Sequence, residues 1–273
     1  MAYSLKTSGI ATSLVMCVAV DDDGSVREFV SSTINAAKTV QGSGGGAATI
    51  GSANWKGTSR NYYETFSNGP YDFYGVKFPA GNRPSHPLNN SVGWTLFEAF
   101  AGVSAVQGEG GLISYSSAGD GGLAGSDIDS AGKLSHFMSS TPRGSGTTTL
   151  PLNGTTKFAY AIGFDNDTGE NFYYGLESGA IASDGSSTAG VGFASSGGEV
   201  YGIGGFPGQG NIPAKRFCSL LFSRELTLAE IQSLHNDWFG TLFDATPPPT
   251  KYWKVPSNAT VGTNARVMVM AAG

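Results

Sequence analysis

The chain has 273 residues, enough for one large β-domain or two small ones. Charged residues make up 14% of it, against a usual share of about 25%, while hydrophobic residues reach 40% and aromatic residues 11%. These values are typical of a globular, loop-rich protein and exclude a largely disordered chain. The net charge of −5, with no basic cluster, argues against a nucleic-acid partner. No apolar run approaches the roughly 18 residues of a membrane span.

The first predicted elements are two strands joined by an acidic turn. Leu14 to Val20 is an apolar run that follows the single basic residue Lys6, and we interpret it as a strand and not as a signal peptide. Asp22-Asp23-Gly24 then leads into Val26 to Val30, and an Asp-Gly pair between apolar runs predicts a hairpin. An acidic metal loop is the alternative for this turn.

The two cysteines, Cys17 and Cys218, are predicted to be reduced thiols that fill core positions as small apolar groups. They have neither CxxC spacing nor a nearby histidine, so we predict no zinc site.

Short segments rich in β-branched and aromatic residues recur between turn residues, which predicts an antiparallel all-β fold. The clearest is Lys157 to Phe164, where bulky residues alternate with small or long polar ones, as on a strand with one buried face. Asp165 to Gly169 then turns the chain. The other predicted strands are Tyr71 to Phe78, Trp94 to Val103, Leu112 to Tyr115, Lys133 to Met138, Asn171 to Leu176, Val200 to Ile203 and Arg216 to Phe222. About a dozen strands fit two stacked sheets of a jelly-roll sandwich, with surface loops at Gly42 to Ala47, Ser116 to Gly125 and Ser183 to Gly198.

One segment predicts a helix. Thr227 stands three residues before Glu230, which is the capping-box arrangement, and Leu226 and Ile231 occupy the positions of a hydrophobic staple. We therefore predict a short helix from about Leu228 to Asn236, followed by aromatic and aliphatic residues that plug one end of the sandwich: Trp238, Phe239, Leu242 and Phe243.

A domain boundary is predicted after residue 243. Pro247, Pro248 and Pro249 favour an extended, stiff spacer, so residues 1–243 form the sandwich and residues 244–273 a linker with a C-terminal docking arm. Thirty residues cannot bury a core of their own, so we expect the arm to add a strand to a sheet edge of a partner. The expected docking residues are Tyr252, Trp253, Val267, Met268, Val269 and Met270.

The end of the sandwich carries a resemblance to a known family. Val200-Tyr201-Gly202-Ile203-Gly204-Gly205, then Phe217 to Phe222, then Arg224 to Leu234 resemble the last strands and the helix of laminin-G or concanavalin A-like domains. The aromatic residues and the proline-rich link that follow resemble such domains in tailed-bacteriophage virion structural proteins. One departure is Gly210-Asn211-Ile212-Pro213, where the family has an aspartate in place of Pro213.

Catalytic chemistry has little support in the sequence. Retaining glycanases need two glutamates about 5 Å apart, and the nearest match, Ser126 to Ser130, has Asp127 and Asp129 but no flanking glutamate. His86 lies in a proline-rich loop and His136 in a predicted strand, while His235 is expected near a helix C-terminus, where a partly charged imidazole is favourable. Asp165 to Gly169 starts like a calcium loop but lacks the distal glutamate. We predict no catalytic residue, no metal site and no cofactor.

The resemblance implies a non-enzymatic virion structural protein, foremost a head decoration or fibre protein, assembled in the host cytoplasm without a signal peptide. Its partners would be capsid or tail subunits and further copies of itself, with no nucleic acid and no membrane. The alternative is a carbohydrate-binding adhesin for host surface glycans, with stacking groups at Asn61-Tyr62-Tyr63, Tyr71 to Tyr74 and Tyr173-Tyr174. A third hypothesis is an extracellular glycanase.

Overall fold

Strands dominate the structure, a computed structural model that describes residues 3–21, 24–30, 49–67, 73–74, 76–78, 85–86, 93–104, 110–117, 123–138, 141–165, 169–188, 198–204 and 212–244. A 3-10 helix at Gly9–Ser13 precedes the strands, and one α-helix, α1 (Leu228–Leu242), follows them. The strands are β1 (Leu14–Val20), β2 (Val26–Glu28), β3 (Ile50–Trp55), β4 (Thr58–Ser67), β5 (Phe73–Tyr74), β6 (Val76–Lys77), β7 (Ser85–His86), β8 (Trp94–Val103), β9 (Gly110–Ser117), β10 (Leu123–Ile128), β11 (Lys133–Met138), β12 (Thr141–Thr149), β13 (Phe158–Asp165), β14 (Gly169–Leu176), β15 (Ala182–Ser187), β16 (Gly198–Ile203) and β17 (Ala214–Phe222).

The strands form two antiparallel sheets. The first sheet has the order β15-β14-β13-β8-β17-β1-β2, and β4 pairs with the beginning of β17 and carries β3 and β5. The second sheet has the order β12-β11-β10-β9-β16-β6, with β7 also on β16. The predicted all-β sandwich with one C-terminal helix is therefore confirmed. Among the described residues, no helix is long and apolar enough to cross a membrane.

Two apolar clusters bury both faces of the first sheet. One lies between the sheets and includes Trp94, Phe100 and Phe172. The other lies between the outer face of the first sheet, α1 and the N-terminal segment, and it includes Phe217 and Trp238. Central strands covered on both sides lack a polar face, so β8 is buried at every position.

The expectation of one buried face for Lys157 to Phe164 is wrong for this reason. Phe158, Tyr160 and Ile162 face the second sheet, but Ala159 and Ala161 on the opposite face are also fully buried. Alanines on that face leave room for the second cluster, so their small size marks close packing and not exposure to water.

The N-terminal hairpin is confirmed. β1 pairs antiparallel with β2, so that Val18 faces Glu28 and Val20 faces Val26. Gly24 has φ +79°, a left-handed conformation that glycine adopts without steric cost. The second strand ends at Glu28 and not at Val30, and Asp22 and Asp23 lie outside the described residues.

Two strands have the predicted bounds, Trp94 to Val103 and Lys133 to Met138.

The sequence analysis did not predict the polar strands. β10, β12 and β15 are rich in Gly, Ser and Thr, and β10 and β15 begin within or next to segments expected to be loops, Ser116 to Gly125 and Ser183 to Gly198. They are strands because a paired neighbour supplies backbone hydrogen bonds, which the side-chain pattern does not reveal. Missed strands also form the β3–β4 hairpin. The loop expected at Gly42 to Ala47 lies outside the described residues.

The capping box of α1 is confirmed, since Glu230 N–H donates to Thr227 Oγ1 at 3.3 Å and Thr227 N–H donates to Glu230 Oε2 at 2.9 Å. The first helical segment ends at a break at Asp237, as predicted, and a second helical segment, which was not predicted, continues to Leu242. Asp237 is non-helical (φ −157°, ψ 81°), and its Oδ1 accepts the N–H of Gly240 at 3.0 Å, which starts a new helical turn after the break.

The end of α1 is tied to the start of the chain. Phe243 forms an antiparallel bridge with Leu5, and Asp244 N–H donates to the carbonyl of Ser4 at 3.0 Å. Trp238, Leu242 and Phe243 are buried in the outer cluster. These aromatic and aliphatic residues therefore cover the outer face of the first sheet.

Candidate functional site

The predicted docking arm lies outside the described residues, which end at Asp244. The same holds for all six residues expected to anchor it: Tyr252, Trp253, Val267, Met268, Val269 and Met270. Their role stays a prediction.

The tyrosines expected to stack on sugars do not form one platform. Tyr63 is fully buried and shares a hydrogen bond of 3.0 Å with Ser219. Tyr62 on β4 and Tyr173 on β14 are half-buried, and β17, β8 and β13 lie between these two strands. Burial, and for Tyr173 also the Glu225 carboxylate, raises the pKa of Tyr63 and Tyr173, so both stay neutral phenols. Of the remaining predicted groups, Asn61 is exposed, Tyr174 is half-buried, Tyr74 lies in β5 and Tyr71 lies outside the described residues.

A network of polar side chains is enclosed between the two sheets. Glu98 Oε1 accepts a hydrogen bond from Arg216 Nε at 3.2 Å and another from the hydroxyl of Ser219, and Tyr160 donates its hydroxyl to Oε2. All four side chains are fully buried. Burial, reinforced by the Glu98 carboxylate, raises the pKa of Tyr160 well above its ordinary value. Because water cannot reach this glutamate, it is poorly placed to act on a substrate.

The sequence analysis missed this network, although one signal was available. Glu98 is the only charged residue of β8, a strand made mostly of apolar residues. A lone charge among core residues predicts a buried partner of opposite charge.

A second buried pair connects the facing sheets. His136 on β11 contacts Glu170 on β14 through Nδ1, and both side chains are fully buried. The His136 ring also packs on Trp94, with 5.3 Å between the ring centroids. His136 lies in a strand, as predicted. Its contacts with Glu170 and Trp94 join the second sheet to the first.

The aspartates of the weak glycanase match have structural partners. Asp129 Oδ1 accepts the N–H groups of Ala131 and Lys133, both at 2.9 Å, and thereby closes the β10–β11 turn. Asp127 accepts the hydroxyl of Ser135. Within the described residues, no group of three or more His, Cys, Asp or Glu side chains is arranged to hold a metal ion. Asp165 and Gly169 pair across a hairpin, and residues 166–168 lie outside the described part.

His235 differs from the expectation in its charge. It is almost fully buried and lies two residues before the break in α1 at Asp237, so its position near a helix end is as predicted. Burial, together with the nearby Lys56 ammonium, lowers its pKa from 6.5 to about 4. The imidazole is therefore neutral at neutral pH, and the idea of a partly charged side chain is wrong.

Cys17 and Cys218 are free thiols, and both are fully buried. Cys17 pairs with Leu220 and Cys218 with Ala19 on the adjoining strands β1 and β17. Burial raises the pKa of both thiols, so both are poor nucleophiles. Their predicted role as core residues is confirmed.

One described pocket is lined by two side chains of opposite charge. It lies where β4, β8 and the start of β17 meet, and it has a volume of about 130 Å³. We call it the Glu64–Lys215 pocket, after its two charged side chains, whose Oε1 and Nζ atoms are 4.0 Å apart. The other lining residues are Thr65, Gly102, Ser104, Gly154, Pro213 and Ala214.

No protein-family model matches the sequence, and no curated protein is similar to it. Solved structures that share part of its architecture include a Trypanosoma rangeli sialidase complex, with 13% identity over 87% of this chain and 36% of the other and a TM-score of 0.44. Another is the binding domain of botulinum neurotoxin DC in complex with rat synaptotagmin II, with 11% identity over 84% and 52% of the chains and a TM-score of 0.48. A third is botulinum neurotoxin type C, whose cell entry depends on two ganglioside molecules, with 12% identity over 83% and 51% and a TM-score of 0.47. The chain thus spans about a third to a half of the length of these proteins, and likenesses of this degree carry no functional argument.

Proposed function

We propose that this protein is a non-enzymatic structural protein of a bacteriophage virion, foremost a head decoration or fibre protein, attached to its particle by residues 244–273. The observation that supports the proposal is the pairing between the end of α1 and the start of the chain. Phe243 forms a β-bridge with Leu5, and Asp244 N–H donates to the carbonyl of Ser4, so the described sandwich ends where the proline-rich segment begins.

The arm supplies the contact with the particle. Its apolar run Ala265 to Ala272 favours a strand, and a strand added to a neighbouring sheet edge gains backbone hydrogen bonds as well as side-chain contacts. The partners would be capsid or tail subunits or further copies of this chain, in a particle assembled in the host cytoplasm.

A non-enzymatic role is consistent with where the reactive groups lie. Glu98, Glu170 and His136 are fully buried between the sheets, and each contributes to the contact between strands. Groups held this way stabilise the sandwich and have no access to a polymer substrate.

Truncation of the arm tests the proposal. Deletion of residues 247–273 should abolish incorporation into particles while the sandwich remains folded by circular dichroism. Trp253→Ala with Val267→Ser and Val269→Ser should have the same effect, whereas the matched control Ser257→Ala with Asn258→Ala should not. Normal incorporation of the truncated protein would refute the proposal, and cryo-electron microscopy of the particle would locate the wild type on the head or the tail.

A second candidate function is binding of host surface glycans. The observation that favours it is the Glu64–Lys215 pocket, which offers a hydrogen-bond acceptor and a donor side by side near the half-exposed ring of Tyr62. A glycan array probed with the full-length protein tests it, and binding at background level to every glycan would count against it.

A further inference from the structure

We propose that Pro247 to Pro249 dock on an aromatic cluster of this same chain, at the end of the sandwich where the C-terminal arm begins. We call it the end cluster, and its members are Tyr3, Phe29, Phe239 and Phe243. Docked prolines would fix the direction in which the arm leaves the sandwich. The inference concerns the folded chain alone, so it does not depend on attachment to a particle.

The rings of the end cluster pack around Phe243. Phe239 is stacked on it with 4.9 Å between ring centroids, and Phe29 meets it edge-on at 5.0 Å. The Tyr3 ring is 5.8 Å from Phe243 and 4.6 Å from Phe239. Phe243 is buried, whereas the other three rings are only half-buried. Three such rings around one centre form an apolar surface that is stabilised when it is covered.

The Phe239 ring is held in place by a neighbouring strand. The guanidinium carbon of Arg60 on β4 lies 4.4 Å from the ring centre. Arg60 Nη2 also pairs with Asp237 Oδ1 at 3.1 Å, at the break in α1. The ring is therefore oriented without the prolines, which lowers the entropic cost of docking them.

The described chain ends beside this surface. Phe243 has an extended backbone (φ −109°, ψ 144°) and bridges antiparallel to Leu5. Asp244 N–H donates to the carbonyl of Ser4 at 3.0 Å. Because the two segments run antiparallel, a chain that continues this pairing passes next to Tyr3.

The residues that follow Asp244 suit an aromatic surface. Thr246 precedes a proline and is biased towards extended backbone, and side chains of an extended chain alternate between faces, so Pro247 is expected on the face of Phe243. Pro247 to Pro249 cannot donate backbone hydrogen bonds, so β-pairing stops there. Prolines favour the polyproline II conformation, which docks on aromatic surfaces at low entropic cost.

Other candidate occupants fit the end cluster less well. Residues 31–48 continue from Val30, next to Phe29, but they are rich in Gly, Ser and Ala and contain neither proline nor an aromatic residue. A second copy would have to associate from solution. Only two residues separate Asp244 from Pro247, so the effective concentration of the proline segment at the cluster is high.

The first test is NMR spectroscopy of the full-length chain with isotope-labelled proline, assigned by alanine substitution of Pro247 to Pro249. We expect NOE contacts from these prolines to rings of the end cluster, and proline signals shifted upfield by the ring currents. Tyr3→Leu keeps an apolar side chain but removes one ring, so it should move the signals towards their positions in the denatured chain. Tyr174→Leu is the matched control, since the half-buried Tyr174 packs on Phe158 in the other cluster.

Hydrogen exchange gives a second measurement that leaves the sandwich unchanged. In the variant with Pro247→Ala, Pro248→Ala and Pro249→Ala, the Asp244 amide should exchange about fivefold faster, because the end of the chain separates from Ser4 more often. Pro256→Ala changes a proline farther along the arm and should have no effect.

The outcomes separate the docking from its alternatives. Proline signals at their denatured positions, or unchanged Asp244 exchange in the triple variant, overturn the proposal. NOE contacts from the end cluster to Ile34 or Val40 overturn it in favour of residues 31–48. Contacts seen only between differently labelled copies overturn it in favour of a second copy. Loss of docking together with arm-dependent incorporation into particles would leave the proposed function standing.

Discussion

Ser126 and Tyr160 come from facing sheets, and their hydroxyl oxygens lie 3.2 Å apart. Tyr160 also donates to Glu98, which accepts from Arg216. A continuous set of hydrogen bonds therefore runs from the second sheet into the centre of the first. Directional bonds of this kind fix how the sheets sit on each other, which apolar contacts alone do less strictly.

Glu98→Gln should be strongly destabilising. The substitution removes the charge that balances Arg216 inside the protein, and loss of one partner of a buried ion pair costs about 3–5 kcal/mol. Urea denaturation followed by tryptophan fluorescence measures the free energy of unfolding. The control Glu64→Gln alters a partly exposed pair and should cost less than about 1 kcal/mol. Equal losses for the two variants would contradict the structural role of Glu98.

The thiols should be unreactive in the folded protein. Cys17 and Cys218 are fully buried and have raised pKa values, so a thiol reagent should label neither of them until denaturant is added. The time course of labelling with Ellman's reagent measures this. Ser130→Cys places a thiol at an exposed turn and should be labelled at once. Rapid labelling of the wild type without denaturant would show that the described core opens readily.

The stability of the protein should fall as the pH drops below 6.5 because of His235. Its pKa is lowered from 6.5 to about 4 in the folded state, so the unfolded chain binds more protons between these values. The stabilisation is complete above pH 6.5 and is lost as the pH falls towards 4. Denaturation curves give the free energy of unfolding at each pH. Between these two pH values, the free energy of unfolding of His235→Leu should depend less steeply on pH than that of the wild type. An unchanged pH dependence would mean that His235 is already protonated in the folded protein.

Glu230 should make the stability of the protein depend on pH in a lower pH range than His235 does. Hydrogen bonds from Arg224 and from the Thr227 cap lower its pKa from 4.5 to about 2. A carboxylate with a lowered pKa stabilises the fold above its unfolded value, so this contribution is present above pH 4.5 and is lost as the pH falls to about 2. Glu230→Gln should remove the dependence in that range, as measured by thermal unfolding monitored by circular dichroism. If the variant loses as much stability as the wild type when the pH falls, other carboxylates are responsible for the loss.

Much of the fold follows from local patterns in the sequence. Alternating aromatic residues predict β13, the capping box of Thr227 and Glu230 predicts the start of α1, and Gly24 predicts the first hairpin. These signals involve residues only a few positions apart, so they act before the chain has folded. The end predicted near Asn236 matches the break at Asp237, but the further turn that packs Leu242 into the outer cluster was not predicted, because it depends on a long-range contact.

The tertiary structure alone decided the rest. Glu98 and Arg216 are 118 positions apart in the chain, and no local pattern pairs them. The polar strands β12 and β15 exist because partners in the folded sheets complete their backbone hydrogen bonds. The Glu64–Lys215 pocket likewise depends on β4 lying beside β17. The sequence by itself determined the strand-rich class and the helix cap through short-range contacts, while strand order, the buried network and the pocket arise from long-range contacts that form only when the sheets assemble.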